Sequence, residues 1–516
     1  MLATKTLVGR TPVMASGRLQ HFSRMMASAS KVEEEDDVRF KVSGAARIIS
    51  LNRARKLNAL NASMCEKIIP RLVEFNRSKV ADLIILKSLS PRAFCSGGDV
   101  IQCAKDNMAN ESQKAVNLFH KEYSLDYLLA VYGKPIVSLV NGIAMGGGVG
   151  LAVHGPFRVV CETTRIAMPE TRIGFFDDVG TSFWLPKLDG NLGYYLSLTG
   201  DDLRGIDTLL CGFGTHYVPY DRFDGLVERL SSLQVKKLAT GENDTVFYNK
   251  HQYYSLVNEA IEEFTSEIPT HHQFKYTPEQ LNTIEKCFNP DTHESVAKII
   301  EDLIADGSEF AISTAKKLEA KSPISLAVNW SLMLKNRKRT IYESLNNELK
   351  VAAKMMIDYK PNDFTTSVNA RLIKKIPDST NIKYKYPDLK SVPASVVDNL
   401  TSNEIFNPDL SSGEELEDKI AQLQNLNISQ FTSCPVLIRN YQNYPYNMGL
   451  PTEKQVESYV KTSAGISGLG PSFSETLEHF QDEFKDRAGV TYKVKSILNR
   501  KTKHGSATDK ALHWIE

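Results

Sequence analysis

The chain has 516 residues, 42% of them hydrophobic and 24% charged, with a net charge of +1. That balance belongs to an ordinary globular protein, and it steers the chain toward no particular partner by bulk charge. Seven cysteines, no two spaced as CxxC, make no disulfide framework and argue against a zinc ribbon or thioredoxin-like motif, so a reducing compartment is the simpler reading. The length suits one large domain with an appendage.

Residues 1–32 stand apart. They hold Lys5, Arg10, Arg18, Arg24 and Lys31, and no acid precedes Glu33. Such a basic, acid-poor, Ser- and Ala-rich start reads as a mitochondrial presequence, although a plain basic N-terminus has the same composition. An acidic run, Glu33 to Asp37, then leads into the domain.

Residues 38–51 and 81–89 are rich in β-branched and apolar side chains and read as strands. Between them, Met64, Ile68, Leu72 and Phe75 recur at helical spacing over 61–76. Residues 135–153 carry no Asp, Glu, Lys or Arg, a length that would flag a membrane span. The stretch opens at Pro135 and is broken by Asn141, Gly142 and Gly146 to Gly150, so it reads as a buried strand, a turn and a buried helix. A strand over 157–161 and short helices over 180–188, 192–198 and 205–211 follow. Strands alternating with helices through about residue 220 predict an α/β layered core. From 245 to 375 the pattern is helical, clearest over 255–264, 295–306 and 340–356. Beyond 375, prolines punctuate polar, tyrosine-bearing stretches; Thr452 and Gln455 fit a capping box. The end is basic, with Lys485, Arg487, Lys493, Lys495, Arg500, Lys501 and Lys503.

Three groups carry chemistry. Ala93 to Asp99 (AFCSGGD) and Met145 to Gly150 (MGGGVG) are small-residue loops between a strand and a helix. Paired glycines bring backbone N–H groups close to a ligand, and a helix N-terminus reinforces them. Two such loops could converge on one oxygen as an oxyanion hole; tight helix–strand packing uses glycine equally well. The third group, Met168 to Gly180, sets carboxylates in an apolar segment, where a raised pKa suits acid–base work. A dinucleotide fold fits poorly, because Leu151 stands where the third glycine of the motif belongs. The adjacent His271 and His272 do not share a helix face and read as a surface loop, and no metal-ligand cluster is present.

Together and in this order, RAFCSGGDV at 92–100, KPIVSLVNGIAMGGGVGLAVHGPFRVV at 134–160 and AMPETRIGFFDDVG at 167–180 resemble the crotonase superfamily. Within it they are most similar to the 3-hydroxyisobutyryl-CoA hydrolase branch. LGYYLSLTG at 192–200, GTHYV at 214–218 and SPISLAV at 322–328 extend the resemblance from about 38 to 375. The C-terminal third is similar to fungal members, a group that also resembles a component of the mitochondrial ribosomal small subunit.

The resemblance implies a crotonase-type ββα spiral with a helical C-terminal region and an additional C-terminal extension. The expected divisions are a presequence over 1–32, a catalytic core over 38–245, a helical region over 246–375 and an extension over 376–516. It implies N–H groups of Gly98 and Gly147 at the thioester oxygen and Glu170 as principal carboxylate, acting on water or attacking the carbonyl. Asp178 would handle the proton or the substrate hydroxyl, and Glu122 would bind substrate. Arg55, Asn58, Ala59 and Leu60, with Lys56, would lie at the CoA nucleotide. CoA enters as part of the substrate; no cofactor, metal or membrane is implied, and homo-oligomers are usual. The implied place is the mitochondrial matrix, with valine breakdown as the setting. The rivals are enoyl-CoA hydration or isomerisation and a structural role on ribosomal RNA through the basic end. Three departures stand out: Asp177 where the family has Pro, Ala54 where Pro is common, and Lys374–Lys375 where the segment from Ser367 normally continues with Asp.

Overall fold

Residues 38–51 fold as two strands rather than one, because Gly44 turns the chain at φ +52°. β1 (Val38–Ser43) pairs antiparallel with β2 (Ala46–Leu51), and only β2 is buried along its whole length. The computed structural model describes residues 36–234, 238–239, 246–247, 250–357, 362–377, 382–402, 440–463, 470–504 and 511–515. The expected presequence over 1–32 lies outside the described residues, as does the part of the extension over 403–439.

β2 is followed in one sheet by β3 (Leu83–Ser88), β5 (Ile136–Val140), β7 (Phe157–Val160) and β10 (His216–Tyr217), all parallel, in the order β1-β2-β3-β5-β7-β10. Parallel strands are covered on both faces, and β5 and β7 accordingly read as unbroken buried runs. A second sheet runs β4 (Ala93–Cys95), β6 (Ile143–Met145), β8 (Arg165–Ala167), β9 (Leu203–Arg204). β3 then β4, β5 then β6, and β7 then β8 thus each give one strand to each sheet. After the first pair come the helices Val100–Met108 and Ser112–Ala130; after the second comes Gly147–Val153. This is the expected ββα spiral, and the stretch 135–153 is its second turn. No helix among the described residues is long and apolar enough to cross a membrane.

One core lies between the spiral and the helical region, and a second covers the other face of the large sheet under helices Phe223–Ser231 and Lys250–Glu262. The helices expected over 295–306 and 340–356 are Val296–Asp306 and Ile341–Ile357. The latter packs along Ser112–Ala130, the longest helix among the described residues. Helix Ala394–Thr401 packs on Pro323–Asn336 and Ile341–Ile357, so the packed unit continues past 375.

The extension is bound to the core. Tyr441 O accepts from Ile341 N–H (2.9 Å), the Tyr444 hydroxyl meets Arg158 (2.6 Å), and Tyr446 stacks on Tyr254 at 5.7 Å. The Thr452–Gln455 capping box opens Glu453–Thr462 as expected. The basic end is a folded helix, Val490–Lys501, not a solvated tail. Arg487 pairs with Glu262 (2.6 Å), Lys493 with Asp189 (2.8 Å), and Arg500 and Lys501 with both Glu285 and Glu453. Only Lys485, Lys495 and Lys503 of the seven basic residues stay exposed for an outside partner. His271 is exposed on a loop as expected, but His272 hydrogen-bonds Asp207 at 2.8 Å.

Candidate active site

The two glycine loops meet. Gly97 (φ +108°) and Gly146 (φ +48°) adopt backbone conformations that side chains resist. A Cβ on Gly147 would collide with Glu122 Oε1 and would stand 3.3 Å from Gly98 N; one on Gly98 would lie 3.1 Å from Glu122 Oε2. Gly98 and Gly147 therefore face each other across a narrow gap into which Glu122 reaches. Among the described residues neither glycine N–H has a hydrogen-bond partner. Two free donors at one gap form the geometry of an oxyanion hole, and Gly147 opens a helix, whose dipole adds to it.

The loop 96–99 is braced from the turn before it. Leu60 N–H donates to Gly97 O (2.7 Å), and Asp99 N–H donates to Leu60 O (2.8 Å). Asn58, at φ +56°, is fully buried, and its side-chain N–H groups reach Ser88 Oγ, Ala93 O and Phe94 O at 2.7–3.1 Å. Asn58 and Leu60 thus frame the hole with side chains turned inward. Ala59 is half-buried, its carbonyl held by Arg53 (2.9 Å), which also pairs with Asp99 (2.9 Å). Arg55 and Lys56 are exposed on a short 3₁₀ turn.

The carboxylates gather beside the hole. Glu170 opens a 3₁₀ turn after β8, and a Cβ on Gly146 would strike its Oε1, so Glu170 and the hole adjoin. Asp178 accepts from the Tyr123 hydroxyl at 2.6 Å. Tyr123 follows Glu122 on helix Ser112–Ala130, so one helix brings both to the site. Two acids escaped the sequence reading. Asp126 lies four residues after Glu122, one turn along the same helix face, and its two carboxylate oxygens lack partners. The spacing could have exposed it. Glu348 comes from the distant helix Ile341–Ile357 and accepts from Gly180 N–H (2.7 Å) and the Ser182 hydroxyl. No local pattern announces it.

Burial raises every one of these acids. It pushes Asp178 up to about 7 and Glu348 to about 8, even though Tyr123, Gly180 N–H and Ser182 donate to them. Glu122, Asp126 and Glu170 rise well above the carboxylate range for the same reason, with neighbouring acids adding to it. Asp177 is fully buried and pushed up to about 8; Ser197, Glu170 and Asn329 lie near enough to offset this in part, yet neither of its oxygens makes a hydrogen bond of normal geometry. The facing cation is Lys321, held down at about 8 by its own burial. His154, bound to Val179 O at 2.7 Å, falls to about 4 and is neutral. Phe119 stacks on Phe175 at 5.3 Å, and Phe364 lies tilted against Phe175 at 5.4 Å, an apolar group on the loop that follows Glu170. Among the described residues no group of acids, histidines and cysteines has the arrangement of a metal site.

Chemically, such an arrangement is suited to opposing negative charge on one oxygen and to exchanging protons near neutrality. The enoyl-CoA hydratase/isomerase family pattern matches residues 46–401. Small ribosomal subunit protein mS47 of Neurospora crassa is 32% identical over 98% of this chain and 93% of its own length. The mitochondrial 3-hydroxyisobutyryl-CoA hydrolase of Homo sapiens is 36% identical over 73% of this chain and 91% of its own. Among solved structures, a carnitinyl-CoA dehydratase from Mycobacterium thermoresistibile superposes with a TM-score of 0.60 and 28% identity, covering 73% of this chain and all of that one.

Proposed function

We propose that this chain, which belongs to the enoyl-CoA hydratase/isomerase (crotonase) family, hydrolyses the thioester of 3-hydroxyisobutyryl-CoA to the free acid and CoA in valine breakdown, inside mitochondria. The observation that carries this is the gap between the unpartnered Gly98 and Gly147 N–H groups with Glu170 beside it. Thioester cleavage builds negative charge on the carbonyl oxygen, and two fixed donors in a dry site oppose that charge where it forms; losing one such donor costs about 10²–10³ in rate. Glu170 then acts on water or attacks the carbonyl. Asp178, titrating near 7 and tied to Tyr123, passes the proton that the departing CoA sulfur needs. Glu122 lies by the hole, where it can receive the substrate hydroxyl. Exposed Arg55 and Lys56 supply positive charge for the CoA phosphates. Relatives named as mitochondrial 3-hydroxyisobutyryl-CoA hydrolases supply the acyl group and the compartment.

Purified protein releasing CoA from 3-hydroxyisobutyryl-CoA, detected with a thiol reagent, tests this. Release is expected from the wild type and is lost in Glu170→Ala with folding intact; full activity in that variant sinks the assignment. Enoyl-CoA hydration is the rival chemistry, and a crotonyl-CoA assay decides it by absorbance. Met145 to Gly150 offers no acid of its own for that reaction.

A second role is supported by a different observation. The hydrolase relative matches 73% of the chain, whereas the ribosomal relative from Neurospora crassa matches 98%, extension included. We propose that the extension also serves attachment to the mitochondrial small ribosomal subunit. Co-sedimentation of native protein with that subunit is expected at low salt; a free pool only would count against it.

A further inference from the structure

Asp177 takes no step in the hydrolysis above, yet it is wholly buried against the residue that does. The segment that delivers Glu170 turns through a 3₁₀ helix and Gly174, and returns Asp177 within hydrogen-bonding reach of the Glu170 carboxyl. Among the described residues three oxygens there, Glu170 Oε2 and both of Asp177, are buried and make no hydrogen bond of normal geometry, although the Ser197 and Asn329 side chains lie close to Asp177. Two ionised carboxylates offer each other acceptors alone. A single proton between them turns the contact into an O–H···O⁻ hydrogen bond and removes one of two like charges.

The surroundings leave little other relief. Asp178 faces the pair from the same loop, and Glu122 and Asp126 approach from helix Ser112–Ala130. Glu348 stands behind Asp178 on helix Ile341–Ile357. Lys321, just before helix Pro323–Asn336, is the facing ammonium; it makes no ion pair with Asp177, and Arg172, Asp201 and Lys317 lie around it. Ser197, Asn329 and Tyr123 are neutral; Asn329 spends its carbonyl on the Asp177 N–H at 3.0 Å and its amide on Ser197 at 2.8 Å.

We propose that Glu170 and Asp177 share one proton as a carboxyl–carboxylate pair, so that Asp177 is a positioning residue that sets the ionisation of Glu170. The pair titrates as a unit, in two steps that belong to neither residue alone. The second proton leaves at the higher step, because its loss puts two charges side by side in a dry site. The arrangement follows from Asp177, the one residue of this loop whose carboxyl the structure sets against that of Glu170. The consequence for turnover rests on the reading of Glu170 as the working carboxylate; the sharing itself does not.

The test therefore separates the two. Infrared spectra of the full chain, with carbon-13 aspartate to tell Asp177 from Glu170, follow the carboxylic-acid C=O stretch against pH without substrate. In Asp177→Asn the Glu170 carboxyl is expected to ionise at least one pH unit below the higher step of the wild-type pair, since a like charge is replaced by an amide donor. In Glu170→Gln the same displacement is expected for Asp177. Thermal melting checks that each variant is folded, and either one suffices if the other fails to fold. Unchanged titration of the remaining carboxyl overturns the proposal. The acid limb of kcat/KM for CoA release should move down with the infrared titration in Asp177→Asn. An unmoved limb beside a displaced titration counts against Glu170 as the working group and leaves the shared proton standing.

Discussion

Two regions of this molecule bury charge, and they do so in opposite ways. Around the C-terminal helices, Arg500 (8% exposed) meets Glu285 and Glu453, Lys501 meets the same two acids, Lys493 meets Asp189, and Arg487 meets Glu262. Around the glycine loops, Glu122, Asp126, Glu170, Asp177, Asp178 and Glu348 are buried together opposite one unpaired ammonium, Lys321. Paired charge holds the extension on the core in one register. Acids gathered with so little counter-charge resist ionisation, and such clusters concentrate where proton transfer is needed. The difference separates architecture from chemistry within one chain.

The comparison breaks first at the hole. Gly147→Ala drives a Cβ into Glu122 Oε1 beside the oxyanion donors. CoA release should drop about 10²–10³-fold, the cost of one lost donor; near-wild-type turnover would show that this gap is not where the carbonyl sits. The next effect belongs to the other region. Arg500→Ala leaves Glu453 and Glu285 facing without their shared guanidinium. Breaking a buried pair costs about 3–5 kcal/mol, and because Glu285 is 32% exposed the expected loss is at the low end, about 3 kcal/mol. Denaturant titration checks it, and turnover of the folded variant should stay unchanged.

The pH dependence of stability sharpens the contrast. Asp178 and Glu348 titrate near 7 and 8 when folded and near 4 when unfolded, so the folded state binds more protons between those values. Their contribution is fully present below about pH 4 and is lost as pH rises through 7 to 8. Glu262 and Glu285 are held low, chiefly by hydrogen bonds and ion pairing that outweigh their burial, so their contribution is present above about pH 4.3 and is lost on acidification. Glu348→Gln should therefore flatten the decline in Tm between pH 5 and 8 and leave the acid side alone. The smallest effect is at the surface. Lys485 and Glu259, with side chains 78% and 56% exposed, form a solvated pair, and Lys485→Ala should change stability by less than about 0.5 kcal/mol.

Much of this was legible in the residues. The strand–glycine–helix order marked the two glycine loops, the family resemblance picked out Gly98 and Gly147 within them, and eight residues separate Glu170 from Asp178 as a turn and return of one loop. The second sheet was not legible, because β4, β6 and β8 are three residues each and carry no alternation to read. Asn58 reads as a surface turn residue, yet its positive φ turns the side chain inward, where three acceptors take it. Glu348 was invisible because its partners, Gly180 and Ser182, lie in a distant part of the chain. The pairing of the basic end was hidden for the same reason. Its local composition is that of a solvated tail, and the acids that neutralise it, Asp189, Glu262, Glu285 and Glu453, are scattered along the sequence.

The most direct measurement pairs turnover with stability in Glu170→Gln, a change that removes a buried acid set against another acid, Asp177, and keeps its shape. CoA release from 3-hydroxyisobutyryl-CoA should fall about 10²–10⁴-fold, while Tm stays equal or rises, because a group held for chemistry adds nothing to the fold. Wild-type turnover in the variant, or a marked loss of Tm, would contradict the account.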